Sequence, residues 1–524
     1  MDDDRTIRDE RRTSPPHGSS RTEDEAEGDA GPASGWRRSV GLAVGLILFL
    51  GIVLSPVPEA LPPGAWKTAA VGVLMACWWI TEALPIAATA LVPLVLFPLL
   101  GVRDIDAAAS PYANPLIFLF IGGFMVAVAM QRWNLHRRIA LSIVQRVGTQ
   151  PERVVIGFMI ASAFLSMWVS NTATALMLLP TGLSVIELVR ERRAKYPKED
   201  ADAPSHFGVV LMLSIAYACN IGGVGTLIGT PPNAILAGFA SESYGVEIGF
   251  AQWMAVGLPL VLVMLPITYV VLTTIFPIGI DELPGGAAII DEELRTLGPM
   301  TAAEKRVALV FGGTAALWIF RPLLGDGVPG LSDAGIAMTA ALVLFMLPAG
   351  GSEGRRVLTW DEAEALPWGV LLLFGGGLSL AAAIEETGLA AWIGEGVQHL
   401  AGWPAAAIVL AAVTMIVFLT EMTSNTATTA TFLPILGAIA VGIGQNPFLL
   451  AVPAAMAASC AFMLPVATPP NAIVYGSDVF TIPQMSRAGL GLNLLAILLV
   501  TALAYALLGV VFGVEMGVVP GWAS

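Results

Sequence analysis

Residues 170–174 read Ser-Asn-Thr-Ala-Thr, and residues 424–428 read the same five residues in the same order. A second segment, Thr-Pro-Pro-Asn-Ala-Ile, occupies residues 230–235 and returns at residues 468–473. Each copy interrupts apolar sequence, where an unpaired hydroxyl or amide group costs several kcal/mol. Two polar segments in matching order in each half therefore predict two structural repeats that build one shared binding site.

The overall composition determines the class of protein. Of 524 residues, 56% are hydrophobic and 13% are charged, and the mean hydropathy is +0.76. A chain this apolar is predicted to be an all-α membrane protein with many spans, because helices satisfy their own backbone hydrogen bonds in lipid. The net charge of -14 argues against a nucleic-acid partner.

Basic residues orient the first half of the chain. Residues 1–36 are polar and are predicted to form a disordered cytoplasmic tail. Arg37 and Arg38 stand directly before the first apolar segment, which favours a cytoplasmic N-terminus. An amphipathic helix along the membrane interface is predicted at residues 135–147. Membrane crossings are predicted, from the lengths of the apolar segments, at residues 39–57, 66–83, 86–101 and 114–131.

The segment that carries the first pentad has basic residues on both sides. Residues 154–189 follow Arg153 and precede Arg190, so both ends are predicted to be cytoplasmic. Two full crossings joined by a tight turn need about 40 apolar residues, which is more than this segment has. They would also place the pentad in external water. A re-entrant helical hairpin whose tip stops inside the membrane is the better interpretation.

The remaining segments complete two repeats of opposite orientation. The pentads lie 254 residues apart (425 - 171), and Phe120 and Phe374 keep that offset. A second hairpin, residues 403–444, lacks flanking Lys or Arg and is predicted to enter from outside, where the C-terminus also lies. About eleven crossings are expected in all. The other predicted segments are a broken crossing at 207–241, crossings at 252–277, 307–324 and 334–348, a cytoplasmic loop at 281–306, a broken crossing at 447–480 and a last helix at 488–513.

The repeated segments are suited to binding ions of both signs. Their hydroxyl, amide and carbonyl oxygens are ligands for a hard cation such as sodium, and N–H groups at the starts of half-helices favour an anion. None of the four segments contains Lys or Arg. An anionic solute would therefore need bound cations to offset its charge, and by linkage each ion would raise the affinity for the other.

These motifs, together with Trp-Ile-Thr-Glu-Ala-Leu-Pro at residues 79–85, resemble the divalent anion:sodium symporter family, whose members carry dicarboxylates, citrate or sulfate. The resemblance covers residues 38–515. It implies a homodimer in the cell inner (plasma) membrane, in which a static scaffold supports a moving, elevator-type transport domain. The corresponding boundaries are scaffold helices at 37–153 with the interfacial helix, a transport region at 154–280, scaffold helices at 307–402 and a second transport region at 403–524.

The resemblance also assigns roles to residues of the hairpins and breaks. At least two sodium sites are implied, one in each half. In each half a hydroxyl residue lies five positions before the asparagine of the pentad. The first sodium would be held by Ser166, Ser170, Asn171 and Gly229, and the second by Thr420, Thr423, Asn425 and Ala467. The substrate would contact Asn171, Thr172, Thr230, Asn425, Thr426, Thr468 and Pro469.

Several alternatives remain open at this level. A C4-dicarboxylate such as succinate is favoured as the substrate, with sulfate and citrate as alternatives. The same fold also serves a sodium-independent exchanger or a proton-coupled carrier. A membrane enzyme is disfavoured, because no His-Glu-x-x-His motif is present. Glu421, the acidic residue next to the tip of the second hairpin, fits a cation ligand, a titrating group or a structural partner.

Overall fold

The chain folds into helices, as the composition predicted. The computed structural model describes residues 32–59, 61–148, 150–195, 206–280, 285–324, 328–350 and 354–523. Nearly all of the predicted N-terminal tail lies outside these ranges. The helices of the first half are α1 (Pro32–Leu54), α2 (Pro63–Thr81), α3 (Ile86–Thr89), α4 (Val92–Leu100), α5 (Ile105–Ala109), α6 (Pro115–Arg132), α7 (Leu135–Val147), α8 (Pro151–Ser166), α9 (Asn171–Lys195), α10 (Phe207–Gly223), α11 (Pro231–Tyr244) and α12 (Phe250–Ile275).

The second half repeats this order after a connecting helix. Its helices are α13 (Gly286–Leu297), α14 (Ala302–Leu324), α15 (Asp333–Met346), α16 (Trp360–Ala363), α17 (Trp368–Glu386), α18 (Leu389–Gly396), α19 (Ala405–Thr420), α20 (Asn425–Gly442), α21 (Phe448–Ala458), α22 (Pro469–Tyr475) and α23 (Ile482–Phe512). Corresponding arms of the two hairpins begin 254 residues apart: 405 - 151 for the first arms and 425 - 171 for the second arms. The predicted repeat is therefore present in the helix boundaries themselves.

Packing across the halves brings the repeats together. Hairpin 1 is α8, residues 167–170 and α9, and hairpin 2 is α19, residues 421–424 and α20. The second arm of hairpin 1, α9, packs against α22 of the other half, and the second arm of hairpin 2, α20, packs against α11. This reciprocal contact gathers both hairpins and both interrupted helices around one centre.

The outer helices are suited to lipid. The helix α14 leaves Leu309 and Leu323 exposed, whereas the side chains of α10 are buried. Exposed apolar side chains on a helix of this length are typical of a lipid-facing surface. By length and composition, seven helical spans in the described ranges are able to cross a membrane: Ile105–Arg132, Asn171–Glu191, Phe250–Ile275, Ala302–Leu324, Trp368–Glu386, Asn425–Gly442 and Ile482–Phe512.

The crossing predicted at residues 86–101 is not one regular helix. The segment divides into α3 and α4, with a bend at Ala90. Pro93 has no N–H to donate to the Thr89 carbonyl one turn earlier. The carbonyl of the next residue, Ala90, accepts a hydrogen bond from the Tyr112 hydroxyl. The bend therefore follows from the proline and from a tyrosine that lies outside the segment.

The connection predicted as a cytoplasmic loop, residues 281–306, contains the helix α13. Ile290, Leu294 and Leu297 lie on one face of this helix, and α13 packs against the predicted interfacial helix α7, whose bounds are confirmed. The contact includes an Arg137–Glu293 ion pair and a 2.7 Å hydrogen bond between the side chains of Gln145 and Asp291.

Candidate functional site

Each hairpin turns at a short tip that is closed by a pair of side chains. In hairpin 1, the Ser166 hydroxyl donates to the amide oxygen of Asn171 across residues 167–170. In hairpin 2, the Thr420 hydroxyl donates to the amide oxygen of Asn425 across residues 421–424. The two asparagines are the first residues of α9 and α20. The five-residue spacing noted in the sequence thus corresponds to the same closed turn in both halves.

The serine of each pentad has a helix-capping role. The Ser170 hydroxyl oxygen accepts a hydrogen bond from the backbone N–H of Ala173 at 3.2 Å. Ser424 accepts one from Ala427 at 3.5 Å. Such caps satisfy one of the backbone donors left free at a helix start. They define where α9 and α20 begin, and with that the positions of Asn171 and Asn425.

The interrupted helices lie beside these tips. Break 1 is residues 224–230, between α10 and α11, and break 2 is residues 459–468, between α21 and α22. A Cβ atom added at Gly223 would lie 2.9 Å from the Asn171 amide oxygen and 3.1 Å from the Gly229 carbonyl oxygen. Only glycine permits this approach. It brings Ser166, Asn171 and Gly229, three of the predicted first sodium ligands, into one small region.

The second predicted sodium set is engaged differently. The Thr420 hydroxyl lies 2.9 Å from the Ala458 carbonyl oxygen as well as beside Asn425. The Thr423 hydroxyl donates to the Leu419 carbonyl at 2.8 Å and lies 2.7 Å from the Thr428 hydroxyl. In this conformation the Thr423 side chain is therefore turned toward helical neighbours.

The asparagine of each Thr-Pro-Pro-Asn-Ala-Ile segment holds the break that precedes it. Asn233 is fully buried, and its amide nitrogen donates to the Gly223 carbonyl at 3.1 Å and to the Thr226 carbonyl at 2.7 Å. Asn471 makes the corresponding bonds to Ala461 and Leu464 at 3.2 and 3.1 Å. The motif alone did not indicate a role for these asparagines, although both copies contain one. Their amides donate hydrogen bonds to backbone carbonyls of the breaks. Such carbonyls would find no water partner inside a membrane.

The helix starts differ in the N–H groups they present. Thr230 and Thr468 are the N-caps of α11 and α22, and two prolines follow each threonine. Proline carries no N–H, so these helix starts have few free donors. The starts of α9 and α20 carry no proline and keep theirs. The partly exposed Thr172 and Thr426 are the second residues of those helices. Positive partial charge is therefore concentrated at the two hairpin arms.

Glu421 is a buried cap for break 2. Its carboxylate oxygens accept hydrogen bonds from the backbone N–H groups of Phe462 at 2.7 Å, Met463 at 2.9 Å and Leu464 at 3.1 Å. The Asn493 amide donates to the same carboxylate at 2.7 Å. Of the roles left open by the sequence, the contacts support the structural one.

A polytopic helical protein with two repeated hairpins and two interrupted helices around a central polar site is a secondary transporter in its architecture. The chain belongs to the sodium:sulfate symporter family. The family model described as "Sodium:sulfate symporter transmembrane region" matches residues 36–514.

Similar proteins cover most of the chain. Relatives named "Sodium-dependent dicarboxylate transporter SdcS", from Staphylococcus saprophyticus and from Staphylococcus aureus (strain USA300), are each 44% identical over 482 residues, spanning 91% of this chain and 92% of the relative. Among solved structures, the crystal structure of the Alcanivorax borkumensis YdaH transporter has a TM-score of 0.55 at 15% identity, covering 92% of this chain and 98% of the other. The latter likeness shows the fold alone.

Proposed function

We propose that the protein is a sodium-coupled symporter of a divalent anion, with a C4-dicarboxylate such as succinate as the substrate. The observation that carries this proposal is the paired hairpin tips, in which Ser166 and Asn171 in one half and Thr420 and Asn425 in the other hold neutral oxygens beside helix N-termini. The 44% identity to proteins named sodium-dependent dicarboxylate transporters supports the same assignment.

The oxygens of the tips and breaks would hold at least two sodium ions. In the proposed first site, rotation of the Ser166 hydroxyl turns its proton away, so that its oxygen and the Asn171 amide oxygen both face the ion with the Gly229 carbonyl. Ser170 completes this set. The second site would use Thr420, Thr423, Asn425 and Ala467, and it requires the Thr423 side chain to leave its present hydrogen bonds.

The anion would then meet donors beside the bound cations. Free N–H groups at the starts of α9 and α20, together with the amides of Asn171 and Asn425, suit the carboxylates of the substrate. Thr172, Thr426, Thr230 and Thr468 add hydroxyl groups, and Pro469 adds an apolar contact. Because the repeated segments have no basic side chain, the affinity for the anion depends on the cations, and the linkage is reciprocal.

We further propose an elevator-type homodimer in the plasma membrane, with a cytoplasmic N-terminus and an external C-terminus. The reciprocal packing of α9 on α22 and of α20 on α11 supports movement of the site as one unit. The exposed apolar surface of α14 supports the assignment of that helix to the outer, lipid-facing part of the protein.

Uptake by proteoliposomes tests the proposal. Purified protein is reconstituted, and entry of labelled succinate is measured with external sodium or with choline in its place. Uptake is expected to require sodium and to be competed by unlabelled malate or fumarate. Equal uptake in choline would refute the symport mechanism. Counterflow driven only by internal dicarboxylate would identify an exchanger, and competition by sulfate or citrate alone would replace the substrate class.

A further inference from the structure

One buried side chain crosses from the first half of the site to the second. Asn220, in the last turn of α10, is 1% exposed. Its amide nitrogen lies 3.0 Å from the Thr468 hydroxyl oxygen and 3.2 Å from the amide oxygen of Asn471. A third acceptor, the Ala461 carbonyl oxygen, is 3.4 Å away. A residue of α10 thus contacts break 2 near its start, at Ala461, and at its end, at Thr468.

The neighbours establish which end of the Asn220 amide faces break 2. The Ala461 carbonyl can only accept a hydrogen bond. The Asn471 amide nitrogen donates to two carbonyls, so the oxygen is the end that it presents to Asn220. Two of the three groups around the Asn220 amide are therefore acceptors only. The nitrogen, and not the oxygen, must face them.

This arrangement determines how the Thr468 hydroxyl is used. The Asn220 amide has two N–H donors, and its two shortest contacts are to the Thr468 hydroxyl oxygen at 3.0 Å and the Asn471 amide oxygen at 3.2 Å. The Thr468 oxygen accepts a second hydrogen bond, from the backbone N–H of Asn471 at 3.3 Å. A hydroxyl group has two lone pairs and one proton. With both lone pairs occupied, the group has only its proton left to offer. Thr468 is therefore held as a hydrogen-bond donor, which is the role that a carboxylate requires.

The first half of the site has no equivalent of the contact between Asn220 and Thr468. The proline motifs are offset by 238 residues (469 - 231), and that offset pairs Asn220 with Ala458 and Thr468 with Thr230. The side chain of Thr230 makes no N-capping hydrogen bond. The Asn233 amide oxygen, which corresponds to the acceptor on Asn471, has no partner within the part of the chain that the structure describes.

The geometry points to Asn220 as a positioning residue that holds the Thr468 hydroxyl as a donor to a carboxylate of the substrate. This inference rests on the proposed function, which assigns Thr468 to the substrate site. It makes the two copies of the threonine unequal. Thr468 is an oriented donor, whereas Thr230 makes no N-capping hydrogen bond that would orient its hydroxyl.

A double-mutant cycle tests this role through the KM for succinate at saturating sodium. Asn220→Leu keeps the side-chain volume and removes the donor, and it is expected to raise KM about tenfold, as for one hydrogen bond to a charged group. Thr468→Ala is expected to raise KM at least as much. The double variant is expected to match Thr468→Ala alone, because Asn220 acts through that hydroxyl. Vmax is expected to stay within about twofold of the parent throughout, which a packing defect would not produce.

Ser214→Ala is the matched control. Ser214 is another fully buried polar residue of α10, and it has no hydrogen-bond partner within the described residues. Its variant is expected to keep the parental KM. Asn220→Ala provides a second donor-free variant should the leucine disturb folding, which monodispersity in detergent would reveal.

The outcomes separate the inference from the proposed function. If Thr468→Ala leaves KM unchanged, the substrate contact at Thr468 is wrong, and the role of Asn220 is lost with it. If Thr468→Ala raises KM but the two effects multiply in the double variant, Asn220 acts independently of that hydroxyl, and the inference alone is overturned. An unchanged KM in both Asn220→Leu and Asn220→Ala would also overturn the inference alone.

Discussion

The two half-sites carry the same motifs in different surroundings. Half-site 1 is the tip of hairpin 1 with break 1, and all residues of that break are buried. Half-site 2 is the tip of hairpin 2 with break 2, where Met422 is 66% exposed and Val466 is 80% exposed. The motifs are therefore nearly symmetric, whereas their burial is not. In this conformation half-site 2 is more exposed than half-site 1.

An aromatic cluster accounts for the covering of half-site 1. Trp168, in the tip of hairpin 1, stacks on Phe250 of α12 with ring centroids 6.0 Å apart. It also meets Phe311 of α14 edge-on at 5.2 Å, while Phe250 stacks on Trp318 at 4.6 Å. The 254-residue offset places Met422 at the equivalent position (422 - 168). One side-chain difference thus distinguishes a tip anchored by three neighbouring rings from an exposed one.

The breaks also differ in how closely their backbone packs. Half-site 1 has Gly223 and Gly229 where half-site 2 has Ala461 and Ala467, at the same 238-residue offset. A Cβ atom at Gly229 would lie 2.4 Å from the Gly223 carbonyl oxygen, which no side chain tolerates. The backbone of break 1 therefore packs more closely on itself than the backbone of break 2. Break 2 is stabilised instead by the hydrogen bonds that its backbone N–H groups donate to the Glu421 carboxylate.

The largest effect is expected from removing the aromatic anchor. Trp168→Ala deletes a buried ring and is expected to lower the free energy of unfolding by about 3 to 5 kcal/mol. The matched Met422→Ala variant removes an exposed side chain and is expected to change it by less than about 0.5 kcal/mol. Denaturant titration in mixed micelles measures both. Similar losses for the two variants would contradict the distinction between an anchored and a free tip.

A smaller but selective effect is expected at the carboxylate cap. Glu421→Ala leaves the backbone N–H groups of break 2 without their acceptor, and sodium-dependent succinate uptake is expected to fall about a hundredfold, as for roughly 3 kcal/mol. Met167→Ala alters the equivalent position of hairpin 1, whose contact to the Thr226 hydroxyl uses only the backbone carbonyl. That control is expected to retain most uptake. Full activity in Glu421→Ala would show that break 2 holds its shape unaided.

The smallest effect separates the two breaks by a single methyl group. Gly229→Ala is expected to destabilise the protein by about 1 to 3 kcal/mol, because the added atom meets the Gly223 carbonyl. Ala467→Gly removes the corresponding methyl group from half-site 2 and is expected to cost about 1 kcal/mol or less. Thermal unfolding of both variants in detergent provides the comparison. A greater loss in Ala467→Gly would reverse the order of tightness inferred for the breaks.

Much of the fold was predictable because its signals are local. The length of the apolar segments indicated helices, the pentads marked the tips between α8 and α9 and between α19 and α20, and the paired prolines marked the starts of α11 and α22. The bend at Ala90 was missed, because the Tyr112 hydroxyl that satisfies its carbonyl lies 22 residues further on. The helix α13 was missed among charged residues that gave the segment the composition of a loop.

The repeated motifs indicated residues for the candidate site but not the interactions that these residues make. A five-residue spacing indicated the pairs Ser166 with Asn171 and Thr420 with Asn425, whose contacts stay within one hairpin. The roles of the proposed sodium and substrate ligands stay predictions until they are measured. The function of Glu421 was open in the sequence, since its backbone partners begin 41 residues away.

The sequence by itself determined the class of protein, the two repeats, and the places where α9, α11, α20 and α22 begin, because composition, capping serines and paired prolines act over a few residues. Only the tertiary structure decided that half-site 1 is buried and half-site 2 more exposed, and that Asn220 reaches Thr468 across 248 positions of the chain. Those features depend on which surfaces meet after the helices pack. Identical motifs therefore acquire different surroundings, since each motif specifies its own backbone but not its neighbours.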